Sequence, residues 1–184
     1  MRRLVLAILL VGYAGLFVQF PTIGRLREFE PLDARGRQAE SAIEEGRFVD
    51  ALPIVRELAR QHESDPVVAY WLAEVHRGLG QHEEEARAWQ HVLDLTGSPE
   101  FACPSLPEAY ARAGDQARAL DAYEHCASAA VDDPERWLDL GTAYAAAHRD
   151  RDAAAAFDKS RLLDDSNPRL PAALDEAAAA GGPR

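Results

Sequence analysis

The chain has 184 residues, of which 47% are hydrophobic, so it is long enough for one domain with a buried core and an additional segment. Its formal net charge is −11, and because the first thirty residues are basic, the remaining body is strongly acidic. Phosphate binding requires a basic surface, so this charge argues against nucleic acid and anionic membrane surfaces as ligands of the body. Alanine-rich segments without runs of β-branched residues favour helices over strands.

The N-terminal segment predicts a membrane anchor. The run 4–20 contains no charged residue; it follows Arg2 and Arg3 and is closed by Pro21. As a helix it is about 25 Å long, which is within the tolerance of a ~30 Å hydrocarbon core. The two arginines are expected to stay on the cytoplasmic side, which places the rest of the chain outside. We therefore predict a single-pass signal anchor at 1–22 and a connector at 23–34.

Two other interpretations of this segment remain open. Gly12-Tyr13-Ala14 is a small-x-small site after a short apolar run, so a signal peptidase would be able to cut after Ala14. A buried core helix is the third interpretation. No cysteine follows the apolar run closely, so a bacterial lipoprotein anchor is not expected. The anchor and the cleaved signal both export the body of the protein.

The stretch from 137 to 168 has the most informative spacing in the chain. Its apolar, small and proline positions are Trp137, Leu140, Gly141, Tyr144, Ala153, Phe157 and Pro168. Trp137, Leu140 and Tyr144 recur at helical spacing and form one stripe on a first helix. Gly141 removes a side chain where a second helix approaches, and Phe157 supplies a large residue to the same seam. The pattern resembles the tetratricopeptide repeat (TPR), a helix–turn–helix unit of about 34 residues.

Three earlier segments fit the same unit. Gly46, Gly80 and Gly114 are spaced 34 residues apart and mark the turns of successive repeats, with His148 at the corresponding place in the fourth. The predicted repeats are at about 32–65, 66–99, 100–133 and 134–168. In the second repeat the small-residue position of the second helix falls on either Glu85 or Ala86.

The resemblance implies an all-α fold. We expect a right-handed superhelical stack of about four TPR helix–turn–helix repeats at 35–168, preceded by the single N-terminal transmembrane helix. A capping helix and a disordered tail are expected at 169–184, because the end of a repeat stack needs a polar outer face. Asp175 and Glu176 are the residues expected to supply that face.

The third repeat differs from the others in its prolines and cysteines. Pro104 and Pro107 lack a backbone N–H, so we expect a shortened first helix that begins at or near Pro104. Aligned with the family, Cys103 lies near the start of that helix and Cys126 towards the end of its antiparallel partner. The resemblance therefore predicts a Cys103–Cys126 disulfide, which an exported protein is able to keep. The alternative is two buried free thiols.

The sequence contains no motif of an enzyme. No two histidines have an H-x3-H or H-E-x-x-H spacing, and the glycines form no phosphate-binding loop. His125 is adjacent to Cys126, but neighbouring helical residues point in different directions. The cysteines form neither a C-x-x-C nor a C-x-x-C-H motif. We therefore predict no catalytic residue, metal site, cofactor, small-molecule substrate or nucleic-acid partner.

The resemblance implies a partner-binding surface on the concave face, along the first helices of the repeats. The family's groove-facing positions and one adjacent residue correspond here to Arg37, Glu40, Tyr70, Trp71, Glu74, Arg77, Glu108, Arg112, Leu138 and Thr142. A Tyr70–Trp71 anchor with charged neighbours would suit a peptide that has apolar and basic residues. The other interpretation is that Trp71 packs against the neighbouring repeat. The Lys and Asn residues with which some family members hold a peptide's C-terminal carboxylate are absent at these positions.

The function that the resemblance implies is a docking scaffold. We expect a protein of the bacterial inner membrane with its TPR domain in the periplasm, where it binds a protein or peptide partner. Its layout is similar to that of anchored bacterial repeat proteins that assist assembly of membrane or cytochrome complexes. Two alternatives remain: a permanent structural subunit of a multiprotein complex, and an enzyme whose chemistry the repeats conceal.

Overall fold

The computed structural model describes residues 34–180, which form ten helices and, within this range, no strand. The all-α prediction is therefore confirmed for this range. The predicted anchor at 1–22 and the connector up to residue 33 lie outside the described residues. Between residues 34 and 180 no helix has the length and apolar character needed to cross a membrane. The chain divides into two compact units, with the boundary between Thr96 and Gly97, and each is described by itself.

The first unit consists of two helix pairs. Its helices are α1 (Ala34–Glu44), α2 (Phe48–Gln61), α3 (Pro66–Gly78) and α4 (His82–Thr96). The Asp65 side chain caps α3 by accepting a hydrogen bond from the Val67 backbone N–H at 2.8 Å. Pro66 follows at the first helical position, where no N–H is needed. The Asp-Pro pair therefore ends one repeat and begins the next.

The second unit contains six helices. They are α5 (Pro99–Ala102), α6 (Leu106–Arg112), α7 (Gln116–Ala129), α8 (Pro134–Ala146), α9 (Asp150–Leu163) and α10 (Leu170–Ala180). Asp133 caps α8 through the Glu135 N–H at 2.9 Å, which repeats the Asp-Pro arrangement of α3. Its core includes one cluster around Leu138 and Phe157 and another around Leu140. The helix α10 packs on the first cluster through Leu170.

The first helix of the third repeat is divided in two. The prolines predict a start at or near Pro104, but α5 ends at Ala102 and α6 begins at Leu106. Pro104 lies in the turn between them, since it has no N–H to continue the bonding of α5. Pro107 is accommodated in the first turn of α6. The predicted shortening is correct, and the start of the helix lies two residues later than expected.

The predicted turns have the backbone that glycine allows. Gly46, Gly80 and Gly114 have φ values of 71°, 68° and 81°, and His148 has a φ of 57° at the corresponding place. The same 34-residue spacing relates Glu85 to the alanines at 51, 119 and 153. Glu85 is 0% exposed, so a carboxylate takes a position that the other repeats give to a buried alanine.

Candidate functional site

In the first unit, α3 places three predicted partner-binding residues on one side. Tyr70, Glu74 and Arg77 follow one another at helical spacing, and the Arg77 guanidinium pairs with the Glu74 carboxylate. The Arg77 side chain is 52% exposed and the Glu74 side chain 10%. On α1, Arg37 is exposed and Glu40 is partly buried. The accessible group on this part of α3 is therefore the Arg77 guanidinium.

The two aromatic residues of the predicted anchor lie in the interior. Tyr70 is 6% exposed and Trp71 is 4% exposed. The Tyr70 ring meets the Trp89 ring of α4 edge to face, with 5.3 Å between their centroids. Burial raises the pKa of Tyr70, and the nearby Glu74 carboxylate adds to that effect. Of the two interpretations of Trp71, its burial favours packing, and neither ring is presented to a partner.

Glu74 is an ionisable group held largely away from water. Burial raises the pKa of its carboxyl, while Arg77 lowers it and the buried carboxylate of Glu85 raises it further. Glu85 in turn lies 3.1 Å from the Nδ1 of His82. Neither Glu85 nor His82 was predicted as a site residue. The sequence does mark Glu85 as unusual, because the other repeats have alanine at the corresponding position.

In the second unit, α6 and α8 carry the remaining predicted residues. The Arg112 guanidinium lies 3.1 Å from the Glu108 carboxylate, and their side chains are 37% and 61% exposed. Thr142 is exposed, and its hydroxyl donates to the carbonyl of Leu138 at 3.1 Å. Leu138 itself is 0% exposed, in the cluster with Phe157 and Leu170. It offers no surface to a partner, because α10 packs on the same cluster.

A charged residue, Asp139, lies next to these predicted positions, and its partners were not predicted. Asp139 accepts from the Arg169 guanidinium at 2.9 Å and lies 3.8 Å from that of Arg136. Burial raises the pKa of Asp139, and the two arginines lower it. Burial also raises the pKa of Tyr123 to about 12, with further contributions from Glu108 and Asp139. The three-residue spacing of Arg136 and Asp139 was readable in the sequence, whereas the contribution of Arg169, thirty residues further on, was not.

The predicted disulfide is confirmed. Cys103 and Cys126 are bonded, with 5.6 Å between their Cα atoms, and both are buried. The bond ties the turn before α6 to α7, across the helix that the prolines shorten. Arg136 of α8 donates to the Cys103 carbonyl at 3.3 Å. Among residues 34–180 no group of three or more His, Cys, Asp or Glu side chains is placed to hold a metal ion.

These features define a class of fold. Paired helices, turns with positive φ at a 34-residue spacing, and Asp-Pro boundaries together make a TPR-like helical repeat fold. No protein-family model matches the chain, and no curated protein matches its sequence.

Solved structures share this fold. A crystal structure of MamA has a TM-score of 0.67 and 14% identity, over 77% of this chain and 78% of that one. A structure of MamA 41-end from Desulfovibrio magneticus RS-1 has a TM-score of 0.64 and 20% identity, over 79% and 86%. The structure of TTC0263, a thermophilic TPR protein in Thermus thermophilus, has a TM-score of 0.59 and 17% identity, over 89% and 96%. The predicted TPR-like fold is thereby confirmed, and at these identities the likeness concerns the fold alone.

Proposed function

We propose that this chain is a scaffold that binds a protein or peptide partner through the first helices of its repeats. The observation that carries the proposal is the TPR-like fold, a fold whose repeats form extended partner-binding surfaces. The accessible predicted residues include Arg37 and Arg77 in the first unit and Glu108 and Arg112 in the second. The partner is expected to be a polar segment that bears both acidic and basic groups.

The exposed charged side chains of each unit support a polar contact with the partner rather than one anchored by an aromatic ring. Arg77 is half exposed above a buried carboxylate, and the Glu108–Arg112 pair offers one charge of each sign. Exposed ion pairs contribute little to stability, on the order of 0–1 kcal/mol, so a partner is able to replace them at low cost. Tyr70 and Trp71 are both buried, so neither ring provides an aromatic anchor for a partner.

We further propose that the N-terminal segment anchors the scaffold in a bacterial inner membrane, with the repeats in the periplasm. The apolar run at 4–20 behind Arg2 and Arg3 supports this orientation. The Cys103–Cys126 bond also supports it, because disulfides persist in oxidising compartments and are rare in the cytosol. The layout of an anchor followed by repeats further suggests a role in the assembly of a membrane or cytochrome complex.

The location is tested by fractionation and thiol labelling. We expect the full chain in the membrane fraction after a carbonate wash, with neither cysteine alkylated unless a reductant is added. Recovery in the soluble fraction would contradict the anchor. Labelling of both thiols without reductant would contradict the export of the repeats.

The binding surface is tested by photo-crosslinking in intact membranes. A photoreactive residue is introduced at Arg77 or Arg112, and in a matched control at Arg56, an exposed arginine of α2. We expect one discrete adduct from the first two positions and none from Arg56. Equal adducts from all three positions, or no adduct from Arg77 and Arg112, would contradict the proposed surface.

A further inference from the structure

A groove of about 230 Å³ opens between α2, α3 and α4 in the first unit. The apolar part of its lining consists of Ala59, Val68, Ala69 and Leu72. The ionisable residues at its rim are His62, Glu63, Asp65 and His91. Tyr70, Glu74 and Arg77 do not line it. The groove is therefore separate from the predicted partner-binding residues.

In the second unit, the repeat position that corresponds to Ala69 carries a large side chain. Two repeat lengths after Ala69 the chain has Trp137. The Trp137 indole Nε1 donates to the Val131 carbonyl at 2.9 Å, and the ring packs with the cluster that contains Leu140. The Lys159 ammonium lies 6.0 Å from the ring centroid. An indole, a backbone acceptor and a cation thus occupy this position together.

The lining positions of the groove have counterparts two repeat lengths later. Val68 corresponds to Arg136 and His62 to Ala130, so the residue type changes at these two positions. The matched pairs, each two repeat lengths apart, are Ala59 with Ala127, Glu63 with Val131, Asp65 with Asp133, Leu72 with Leu140 and His91 with Lys159. The groove therefore lies beside Ala69, a residue that is 3% exposed and whose counterpart in the second unit carries an indole. An apolar cavity of about 150 Å³ is able to hold benzene, so a groove of this size has room for an indole ring.

The groove also offers a backbone carbonyl that is able to accept a hydrogen bond from an indole N–H. The His91 Nε2 lies 3.0 Å from the Glu63 carbonyl and donates to it, which parallels the bond from Trp137 to Val131. A carbonyl oxygen has two lone pairs, so it is able to accept an indole N–H as well. Glu63 and Asp65 lie at the rim and bring negative charge to it, although one oxygen of the Asp65 carboxylate already accepts from the Val67 N–H. They favour an occupant with cationic neighbours over an anionic one.

We propose that this groove binds the tryptophan side chain of a partner polypeptide that carries lysine or arginine beside that tryptophan. The indole takes the place that Trp137 fills in the second unit, and its cationic neighbours face Glu63 and Asp65. This is a second contact surface, and it does not depend on the residues of the scaffold face proposed above.

The probe is a short peptide, acetyl-Lys-Trp-Lys-amide, titrated onto the full chain in detergent and followed by the methyl NMR signals of Ala59, Val68 and Leu72. We expect shifts confined to the groove, with a dissociation constant of about 1 mM or tighter. The same peptide with alanine in place of tryptophan is expected to cause no shift. The version with two glutamates is expected to bind at least about threefold weaker.

Three results would overturn the proposal. These are no shift with the lysine peptide at concentrations on the order of 10 mM, equal binding of the lysine and glutamate peptides, and binding of free indole without binding of the peptide. The last result would show that the groove takes up a small aromatic molecule but not the tryptophan of a polypeptide.

Filling the groove supplies a decisive variant. Ala69→Trp is expected to abolish the peptide shifts and to raise the Tm by roughly 2–4 °C, because it places an indole where Trp137 stands in the second unit. Should this variant not fold, Ala69→Leu provides the same test with a smaller side chain and an expected affinity loss of at least about threefold. Ala154→Trp, at an exposed site on α9, is the control that leaves binding unchanged. Full binding by a folded Ala69→Trp protein would overturn the proposal.

The reciprocal variant opens the corresponding space in the second unit. Trp137→Ala is expected to create a second peptide site, seen as new shifts of the Ala127 and Leu140 methyl groups. In the wild-type chain no shift of Ala127 or Leu140 is expected. If the Trp137→Ala protein is folded and its second unit takes up no indole-bearing peptide, the equivalence of the two positions is refuted.

Discussion

The ring of Phe157 lies so close to the backbone of Gly141 that a Cβ atom on Gly141 would stand 2.6 Å from two carbons of the ring. Phe157 is 4% exposed and packs with Leu138 and Leu170, so the ring has little freedom to move away. Glycine is unfavourable in the interior of a helix, by about 1 kcal/mol relative to alanine. Its presence in α8 is therefore explained by the approach of α9.

The substitution Gly141→Ala is expected to destabilise the second unit by about 1–3 kcal/mol, the usual cost of overpacking a core. The gain in helix propensity, about 1 kcal/mol, is smaller than the cost of displacing the ring. Urea unfolding followed by circular dichroism measures the change. The double variant Gly141→Ala/Phe157→Leu is expected to lose less than the sum of the two single variants. A Gly141→Ala protein more stable than the wild type would contradict the tight contact.

The turn at His148 is a site where glycine should stabilise the protein. His148 has a φ of 57°, which costs a residue with a Cβ about 1–2 kcal/mol, whereas Gly114 occupies the corresponding turn without that cost. We expect His148→Gly to raise the free energy of unfolding by about 0.5–1 kcal/mol. Ala147→Gly is the matched control, since Ala147 has a φ of −83° and glycine there should destabilise. Equal effects of the two changes would refute the argument.

The disulfide is expected to stabilise the second unit measurably. Cys103 and Cys126 are separated by 23 residues, and closing a loop of that size is worth about 3 kcal/mol in the chain-entropy model. The double variant Cys103→Ala/Cys126→Ala should lower the free energy of unfolding by roughly that amount. Reductant should lower the Tm of the wild type but leave the double variant unchanged. A Tm of the wild type that does not respond to full reduction would contradict this prediction.

Glu74 predicts a pH dependence of stability. Burial raises the pKa of its carboxyl above the ordinary value of 4.5, so the folded state binds the proton more readily than the unfolded state. Ionisation of Glu74 therefore lowers stability as the pH rises from about 4.5 through the folded-state pKa. We expect Glu74→Gln to be more stable than the wild type at pH 7 and to lose this advantage near pH 4.

The comparison is made by thermal unfolding across that pH range. Glu44→Gln, at an exposed position of α1, controls for the change in net charge. A Glu74→Gln protein less stable than the wild type at pH 7 would show that the ion pair with Arg77 outweighs the burial of the carboxyl.

Much of the fold was predictable because the responsible interactions are local. The turn at Gly114 requires a positive φ, and the α8 start requires an acceptor at Asp133 and a residue such as Pro134 that needs no donor. Each requirement is met within a few neighbouring residues. The Cys103–Cys126 bond was predictable for a related reason, because a TPR-like repeat fixes how two adjacent helices face each other.

The candidate site was less predictable because exposure depends on distant segments. The pattern places Leu138 on the first helix of its repeat, but Leu170 of α10 packs on the cluster to which Leu138 belongs. The closest charged partner of Asp139 is Arg169, which follows it by thirty residues. Trp71 was readable as either an anchor or a packing residue, and its burial favours packing.

The sequence by itself determined the helical character of the chain, the turns at Gly46, Gly80 and Gly114 and the repeat length, since backbone conformation and helix capping are governed by residues next to each other. The tertiary structure decided which side chains remain accessible, since that depends on helices far apart in sequence. It also showed a groove beside Ala69, whose counterpart Trp137 packs with the cluster that contains Leu140. An alanine in a sequence does not reveal whether a neighbour fills the volume that its small side chain leaves, because only the packed helices define that volume.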